Sequence, residues 1–97
     1  MNIEKVIEDG RITLKISGWL ETKTAAELQA QVDELSADTE ELIMDLEGLE
    51  YISSAGLRQI VAAHKKMNGR LTLIHVQPEI MEVLEMAGFV KRLHIES

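Results

Sequence analysis

Apolar and polar residues alternate along the first part of the chain, on both sides of an Asp9-Gly10 dipeptide. After the dipeptide, Ile12, Leu14 and Ile16 alternate with polar residues, which is the period of a half-buried β-strand. Residues 3–8 form a second β-like run with weaker alternation. Because Asp-Gly favours the positive φ angles of a tight turn, the pattern predicts an N-terminal antiparallel hairpin.

Later apolar residues recur with helical spacing. Thr24 and Glu27 have the spacing of a capping box, and the periodicity that follows predicts a helix from about Ala25 to Ser36. A second helix, ended by Asn68-Gly69, has one apolar face that carries Leu57, Ile60, Val61 and His64. The proline at position 78 suits the first turn of a third helix, and the glycine at position 88 ends it.

Short apolar runs bounded by polar turns separate these helices. Glu41–Leu46 and Leu71–Val76 have the length of buried strands, and Arg92–Ile95 is a candidate for a short last strand. The resulting order, β-β-α-β-α-β-α-(β), predicts an α/β fold: a mixed, largely parallel sheet with an N-terminal antiparallel hairpin and about three helices packed against it. We expect a single domain over residues 1–97, because no linker or repeat interrupts the pattern.

Composition narrows the possible functions. The chain has 97 residues, 45% of them apolar, and no cysteine, which excludes disulfides and cysteine catalysis. Its formal net charge of −7 opposes binding to nucleic acid or anionic lipid. No apolar run approaches the ~20 residues of a membrane helix, and the N-terminus lacks a signal-peptide core. We therefore expect a cytoplasmic protein without membrane insertion.

Two adjacent serines, Ser53 and Ser54, lie in the segment LEYISSAGLRQIV, between an apolar run and the second helix. Either serine is a natural N-cap, since its oxygen accepts a hydrogen bond from a free backbone N–H and contributes about 1 kcal/mol. A serine at a strand-to-helix turn is also accessible to a modifying enzyme. The residue pattern alone leaves capping and chemistry open.

Enzymatic interpretations find little support in the sequence. The nucleophile elbow G-x-S-x-G is absent because position 52 is isoleucine, and no phosphate-binding G-x-x-x-x-G-K-S/T loop occurs. Asp45 and Glu47 end a strand, where carboxylates are usually solvated. The three histidines are scattered: His64 lies on the apolar helix face, His75 in a predicted strand and His94 near the end. Their spacing is not that of metal ligands, and none is an evident base for a serine nucleophile. We predict no enzyme, no cofactor and no metal.

Three blocks of the sequence together resemble one family. MDLEGLEYISSAGLRQIV is similar to the signature of STAS domains of the anti-sigma factor antagonist class, in which an apolar strand and D-L precede D-S-S/T-G-L/I and an apolar helix. SGWLETKTAAEL resembles the family's G-x-L-D-x-x-S/T-A-x-x-L block. PEIMEVLEMAGFVKRLHI resembles its P-x-V/I-x-x-L/I-x-x-S/T-G-L/F ending. The resemblance covers nearly the whole chain, in order.

The resemblance implies a bacterial regulatory protein in signal transduction. In such proteins a serine kinase, often itself an anti-sigma factor, phosphorylates the serine of the signature, and a PP2C-type phosphatase removes the phosphate. The unmodified form binds the kinase and releases what the kinase held, so that transcription is regulated by partner switching. Carried over to this chain, the phosphoacceptor is Ser54, followed by motif residues Ala55, Gly56 and Leu57. We expect a monomer or weak dimer.

This chain departs from the family pattern at two positions. Ser53 replaces the aspartate that precedes the acceptor, and Glu21 replaces the aspartate of the G-x-L-D block. Ser53 is therefore either a changed recognition residue or an additional phosphorylation site. Trp19 is either an exposed contact residue on a loop facing the Ser54 turn or a core residue, and Tyr51 is predicted to lie in the core.

The missing aspartate also motivates an alternative function. The family includes unphosphorylated interaction subunits of lipid-transport ATPases and regulatory domains of anion transporters. Such a subunit would bind its partner without a serine switch. A third hypothesis, a hydrolase that uses Ser54, requires a general base close to the Ser54 hydroxyl.

Overall fold

The chain forms a layer of helices on one mixed sheet. The computed structural model describes residues 2–89 and 91–96, within which there are six strands and three helices. In chain order these elements are β1 (Asn2–Glu8), β2 (Arg11–Leu20), α1 (Thr22–Asp33), β3 (Glu41–Asp45), β4 (Leu49–Ile52), α2 (Ser54–Lys66), β5 (Leu71–Ile74), α3 (Pro78–Met86) and β6 (His94–Glu96).

The sheet combines one antiparallel pair with parallel pairs. β1 is antiparallel to β2, and β3, β5 and β6 continue the sheet in parallel in the order β1-β2-β3-β5-β6. β4 lies off this path and pairs in parallel with residues 18–20 at the end of β2. This arrangement confirms the predicted α/β class with a largely parallel sheet and an N-terminal hairpin.

The hairpin turn has the predicted chemistry. Asp9 has a φ of 42° and Gly10 a φ of 82°, so both turn residues adopt the left-handed region that a two-residue hairpin loop requires. β1 and β2 then pair without interruption from Glu8 opposite Arg11 to Asn2 opposite Ser17.

The core follows the periodicities of the sequence. β2 buries every second residue from Ile12 to Ile16 and again Leu20. α1 packs against α2, and α3 packs against β4. The predicted apolar face of α2 is buried at Leu57 and Ile60, whereas Val61 and His64 are half-buried at its margin. The largest fully buried side chains are Leu14, Ile16, Leu20, Leu28, Leu42, Met44, Leu46, Leu49, Ile60, Leu71, Leu73 and Ile80. In residues 2–89 and 91–96, no helix combines the length and hydropathy needed to span a membrane.

One strand was not predicted. β4 has only four residues, and its burial order (buried, exposed, exposed, buried) breaks the alternation by which strands are recognised. β2 is also longer than predicted, because it continues through Gly18 and Trp19 to Leu20 after a shift of register against β4. Trp19 therefore lies in a strand, and its placement on a loop was wrong.

The limits of three further elements differ from those predicted. α1 begins at Thr22, three residues before the predicted start, and Glu21 occupies its N-cap, so Thr24 is not the capping residue. β5 ends at Ile74, because His75 adopts a left-handed φ of 54° and cannot continue the strand. The last strand is His94–Glu96, and the short run predicted from residue 92 begins two residues later. α3 begins at Pro78 as predicted.

Candidate functional site

The two adjacent serines lie where β4 passes directly into α2. Ser53 is the N-cap of α2: its backbone is extended, and its Oγ accepts a hydrogen bond of 3.3 Å from the N–H of Gly56. Its own N–H donates to the carbonyl of Leu20 at 2.8 Å, which joins the end of β4 to the end of β2. Ser53 is thus half-buried and fixed at both its backbone and its side chain.

Ser54 has a different environment. It is the first residue of α2 and is exposed to solvent. Within the described residues its Oγ makes no hydrogen bond, and the hydroxyl that accepts from the N–H of Gly56 in the first helical turn is that of Ser53. Between the two serines, the structure therefore assigns capping to Ser53 and leaves the hydroxyl of Ser54 free for another role.

The next three residues anchor the turn. Gly56 is buried so close to β2 and β4 that a Cβ atom at this position would lie 2.7 Å from Cγ of Leu20, 2.9 Å from the Leu20 carbonyl oxygen and 3.0 Å from Cγ1 of Ile52. Ala55 is half-buried against the core, and Leu57 is buried in it. The motif residues after Ser54 thus hold the helix against the sheet and leave Ser54 at the surface.

An aromatic pair flanks this turn. Trp19 and Tyr51 are register partners on β2 and β4, and their ring centroids are 5.2 Å apart with the planes tilted by 44°. Trp19 is 56% exposed and Tyr51 is 46% exposed. The prediction that Tyr51 lies in the core was wrong, because both middle residues of β4, Glu50 and Tyr51, are exposed to solvent. Of the two alternatives for Trp19, the exposed one is correct.

Glu21 extends the same edge of the sheet. Leu20 pairs with Ile52, so the residues that follow them, Glu21 and Ser53, leave the sheet side by side. The N–H of Glu21 donates to Oγ1 of Thr24 at 2.8 Å, and the Glu21 side chain is exposed. We call the surface formed by Trp19, Glu21, Tyr51, Ser53 and Ser54 the serine edge.

Two features of α2 favour an added anion at Ser54, whereas the exposed carboxylate of Glu21 on the serine edge opposes it. The first turn of α2 carries no acidic residue, so the partial positive charge at the helix N-terminus is not neutralised there. Arg58 is exposed and follows Ser54 by four residues, which places the two side chains on the same face of the helix. Sequence analysis did not single out Arg58, although this spacing was visible in SAGLR.

The histidines lie away from Ser54. His64 is ten residues further along α2, roughly 15 Å at the ~1.5 Å rise of a helix. His75 contacts Asp45, and His94 contacts Glu96. In the part of the chain that the structure describes, no histidine hydrogen-bonds to Ser54, so none of the described contacts supplies a histidine as the base that the hydrolase hypothesis requires.

The structure brings together one group that the sequence analysis did not. Asp45, Glu47 and His75 place one potential ligand atom each within 4.8 Å of one another. The sequence interpretation treated the two carboxylates as solvated, since carboxylates that end a strand usually are, and His75 as part of a strand. Asp45 and His75 are 30 positions apart in the sequence. Only the parallel pairing of β3 with β5 joins them.

Comparisons with known proteins identify the sequence pattern. A family model described as the STAS domain matches residues 2–97. A protein of Bordetella bronchiseptica provisionally named anti-sigma factor antagonist BtrV is 36% identical over 89 residues, which are 84% of this chain and 74% of the relative. The anti-sigma F factor antagonist of Paenibacillus polymyxa is 27% identical and is matched over 98% of this chain and 86% of its own length.

Solved structures agree on the fold. An anti-sigma factor antagonist from Mycobacterium paratuberculosis superposes with a TM-score of 0.86 at 22% identity, covering 97% of this chain and 83% of that one. The phosphorylated form of the Bacillus cell fate determinant SpoIIAA superposes with a TM-score of 0.76 at 14% identity, covering 99% and 92% of the two chains. The predicted fold is therefore confirmed.

Proposed function

Since this chain belongs to the STAS domain family, we propose that it is a regulatory protein of the anti-sigma factor antagonist type, and not an enzyme. In this proposal a serine kinase that acts as an anti-sigma factor binds the unmodified chain and phosphorylates Ser54. A PP2C-type phosphatase removes the phosphate and restores binding. The relatives' names support an antagonist of an anti-sigma factor, and the kinase, the phosphatase and the cytoplasmic location belong to the proposal.

The observation that carries the proposal is the contrast between the two serines. A phosphoacceptor hydroxyl must be accessible to a kinase, and modification should not remove a group that the fold needs. Ser54 is exposed, whereas Ser53 is half-buried and donates and accepts hydrogen bonds within the fold. Ser54 is also the serine at the acceptor position of the family signature.

The surroundings of Ser54 allow a phosphate without unfolding. A phosphoserine adds about −1.5 to −2 charges and three strong acceptor oxygens. At the first position of α2 these oxygens face free backbone N–H groups and the positive end of the helix dipole. Arg58, one helical turn further on, supplies a cation that a phosphate on Ser54 can reach.

The effect of phosphate then falls on the partner. The serine edge presents the exposed ring pair of Trp19 and Tyr51 beside the small hydroxyl of Ser54. Exposed aromatic residues of this kind often contribute most of the binding energy of an interface. Two added negative charges at the rim of such a contact oppose an apolar or acidic partner surface, and each 1.4 kcal/mol of that opposition lowers affinity about tenfold.

Mass spectrometry after incubation with ATP and the serine kinase encoded in the same genome tests the site. We expect one phosphate on Ser54 in the wild type, no phosphate in Ser54→Ala and an unchanged yield in Ser53→Ala. Phosphate on Ser53 alone, or none under conditions in which the kinase modifies another substrate, would contradict the assignment.

Binding to the same kinase tests the switch. We expect Ser54→Asp to lower the affinity at least about tenfold, since a carboxylate imitates part of the phosphate charge, and Ser54→Ala to preserve it. Ser36→Asp is a matched control: Ser36 is exposed, and its Oγ accepts from the N–H of Asp38, a role that aspartate also fills. Trp19→Ala and Tyr51→Ala are expected to weaken binding without unfolding the chain.

The alternative, an unphosphorylated interaction subunit of a transporter of the lipid-transport ATPase type, is favoured by one observation, the serine at position 53 in place of the family's aspartate. It predicts that Ser54→Asp binds the partner as well as the wild type and that kinase treatment has no effect on binding. Genes for a transporter beside the gene for this chain would support it, whereas neighbouring kinase and phosphatase genes would support the switch.

A further inference from the structure

Asp45, Glu47 and His75, three residues with metal-binding atoms, lie close together where β3 and β5 end, away from the serine edge. His75 Nδ1 lies 3.0 Å from Oδ1 of Asp45 and 3.6 Å from Oε2 of Glu47. The three ligand atoms all lie within 4.8 Å of one another. β4, which is four residues or roughly 13 Å long at ~3.3 Å per residue, separates Glu47 from Ser53.

The topology of the sheet explains why they meet. Asp45 and Ile74 are the last paired residues of the parallel strands β3 and β5, so the residues that follow them emerge at the same edge. His75 comes immediately after Ile74, and Glu47 comes two residues after Asp45. His75 adopts a left-handed φ of 54°, a region in which asparagine, aspartate and histidine are the most frequent residues after glycine.

The two carboxylates, at the end of β3 and in the connection that follows it, are already positioned. The N–H of Glu47 donates to Oδ1 of Asp45 at 3.0 Å, and Nε2 of Gln77 donates to the Glu47 carbonyl at 2.8 Å. The Asp45 side chain is only 12% exposed, whereas the side chains of His75 and Glu47 are 51% and 73% exposed. The group is thus anchored on its inner side and open to solvent on its outer side, which leaves a path for an ion to enter.

The chemistry of these three groups matches a borderline transition-metal ion. One imidazole nitrogen and two carboxylate oxygens are ligands of Zn²⁺, with bonds of about 2.0–2.2 Å and neighbouring ligand atoms therefore roughly 3.3–3.5 Å apart on a tetrahedral ion. The observed separations of 3.0 and 3.6 Å bracket that spacing. Mg²⁺ and Ca²⁺ prefer oxygen ligands only, so the imidazole disfavours them.

We propose that Asp45, Glu47 and His75 form a binding site for a divalent transition-metal cation of the Zn²⁺ type, with its remaining coordination positions filled by water. The site is independent of the phosphorylation proposed for Ser54. An ion there links the β3–β4 connection to the segment that joins β5 to α3. The net charge of −7 favours a cation, and Lys15, which lines the same surface depression as Asp45 and Glu47, is a nearby charge that opposes it.

The competing explanation is a plain ion pair between a histidine and a carboxylate. The chain contains such a pair for comparison: His94 Nε2 lies 3.1 Å from Oε2 of Glu96, both side chains are well exposed, and among the described residues no third metal-ligating side chain joins them. A variant at His94 therefore removes an exposed histidine–carboxylate contact without touching the proposed site.

Calorimetric titration of the full chain with ZnCl₂ tests the proposal. We expect one saturable Zn²⁺ per chain and no competition by a tenfold excess of Mg²⁺. Loss of a group that merely orients a metal ligand typically lowers affinity roughly 10- to 100-fold, so His75→Asn and Glu47→Gln, which each remove a direct ligand, should lower it at least that much. Asparagine suits the left-handed φ at position 75, so His75→Asn should fold.

Two controls complete the test. His94→Asn and Ser54→Ala are expected to bind Zn²⁺ within about twofold of the wild type. Added Zn²⁺ should raise the melting temperature of the wild type and of His94→Asn, but not that of His75→Asn. Absence of saturable binding, or equal affinities for wild type and His75→Asn, overturns the site and leaves the Ser54 proposal unaffected.

Discussion

Ser53 and Ser54 show how adjacent identical residues acquire separate roles. The side chain of Ser53 turns back to the N–H of Gly56, as an N-cap does, while Ser54 already has helical geometry and projects from the first turn. The hydroxyl of Ser53 already accepts a hydrogen bond that the helix start uses, and modifying it would disturb that contact with the N–H of Gly56. The same helix start therefore protects one serine and exposes the other.

Substitutions at Ser53 test its role as the N-cap of α2 separately from the phosphorylation proposed for Ser54. Ser53→Ala is expected to lower the free energy of unfolding by about 1 kcal/mol, within the ~0.5–2 kcal/mol range of lost N-caps. Ser53→Asp should retain wild-type stability, because aspartate is an equally good N-cap and a carboxylate at a helix N-terminus is favourable. Urea denaturation followed by circular dichroism measures both.

Ser54→Ala is the control for this pair, because Ser54 is exposed and its change should alter stability by no more than about 0.5 kcal/mol. If Ser53→Ala proved as stable as Ser54→Ala, Ser53 would not be acting as the cap. Ser53→Asp also restores the aspartate of the family signature. A higher rate of phosphorylation in that variant would assign kinase recognition to position 53.

At the scale of elements, the start of α2 is held against the ends of β2 and β4 by a close approach at Gly56. The backbone atom nearest to a Cβ at this position would be the carbonyl oxygen of Leu20, at 2.9 Å. Cγ of the Leu20 side chain would lie at 2.7 Å. The backbone oxygen cannot move easily, because Leu20 pairs with Ile52 and its carbonyl accepts the N–H of Ser53.

Gly56→Ala is accordingly expected to destabilise the chain by about 1–3 kcal/mol, the usual cost of overpacking. The gain of up to ~1 kcal/mol from replacing a helical glycine with alanine opposes this cost. Urea denaturation gives the net value, with Ser54→Ala in the same turn as the matched control. A Gly56→Ala variant more stable than the wild type would show that helix propensity prevails and that α2 can shift away from β2.

Elements with a regular period were predictable from the sequence, and the irregular ones were not. The hairpin at Asp9-Gly10, the buried faces of β2 and α2, and the start of α3 at Pro78 all followed from local patterns. β4 did not, because four residues with both middle positions exposed have no recognisable period. The start of α1 was missed because Glu21, a weak capping residue, precedes the Thr24 that was taken as the cap.

In the candidate site too, some features were predictable from the sequence and others were not. The position of Ser54 at the start of a helix was predictable, since it depends on sequence neighbours. The exposure of Tyr51 depends on β4, which was not predicted, and the meeting of Asp45 with His75 depends on the pairing of two strands far apart in sequence. Contacts between distant segments carry no local signal, so they required the fold.

At the scale of the whole molecule, the question is whether phosphate changes the structure or only its surface. The chain already has a net charge of −7, and phosphoserine raises the magnitude to about 9. Ser54 lies at the surface and at the favourable end of α2, and its side chain takes no part in the core. If Ser54 is phosphorylated as proposed, these observations favour an effect that is confined to the surface.

Phosphoserine incorporated at position 54 by an expanded genetic code tests this without a kinase. We expect the free energy of unfolding to change by no more than about 1 kcal/mol, because helix-end and Arg58 attraction offset the added repulsion. Amide chemical-shift changes should be confined to the start of α2 and the serine edge.

Arg58→Ala should destabilise the phosphorylated chain by about 0.5 kcal/mol more than the unmodified one, whereas Arg92→Ala, at another exposed arginine, should affect both equally. Shift changes that reach β1 and α3, or a loss of more than about 2 kcal/mol on phosphorylation, would instead require a change of the whole fold, since a local charge at a solvated helix end cannot cost that much.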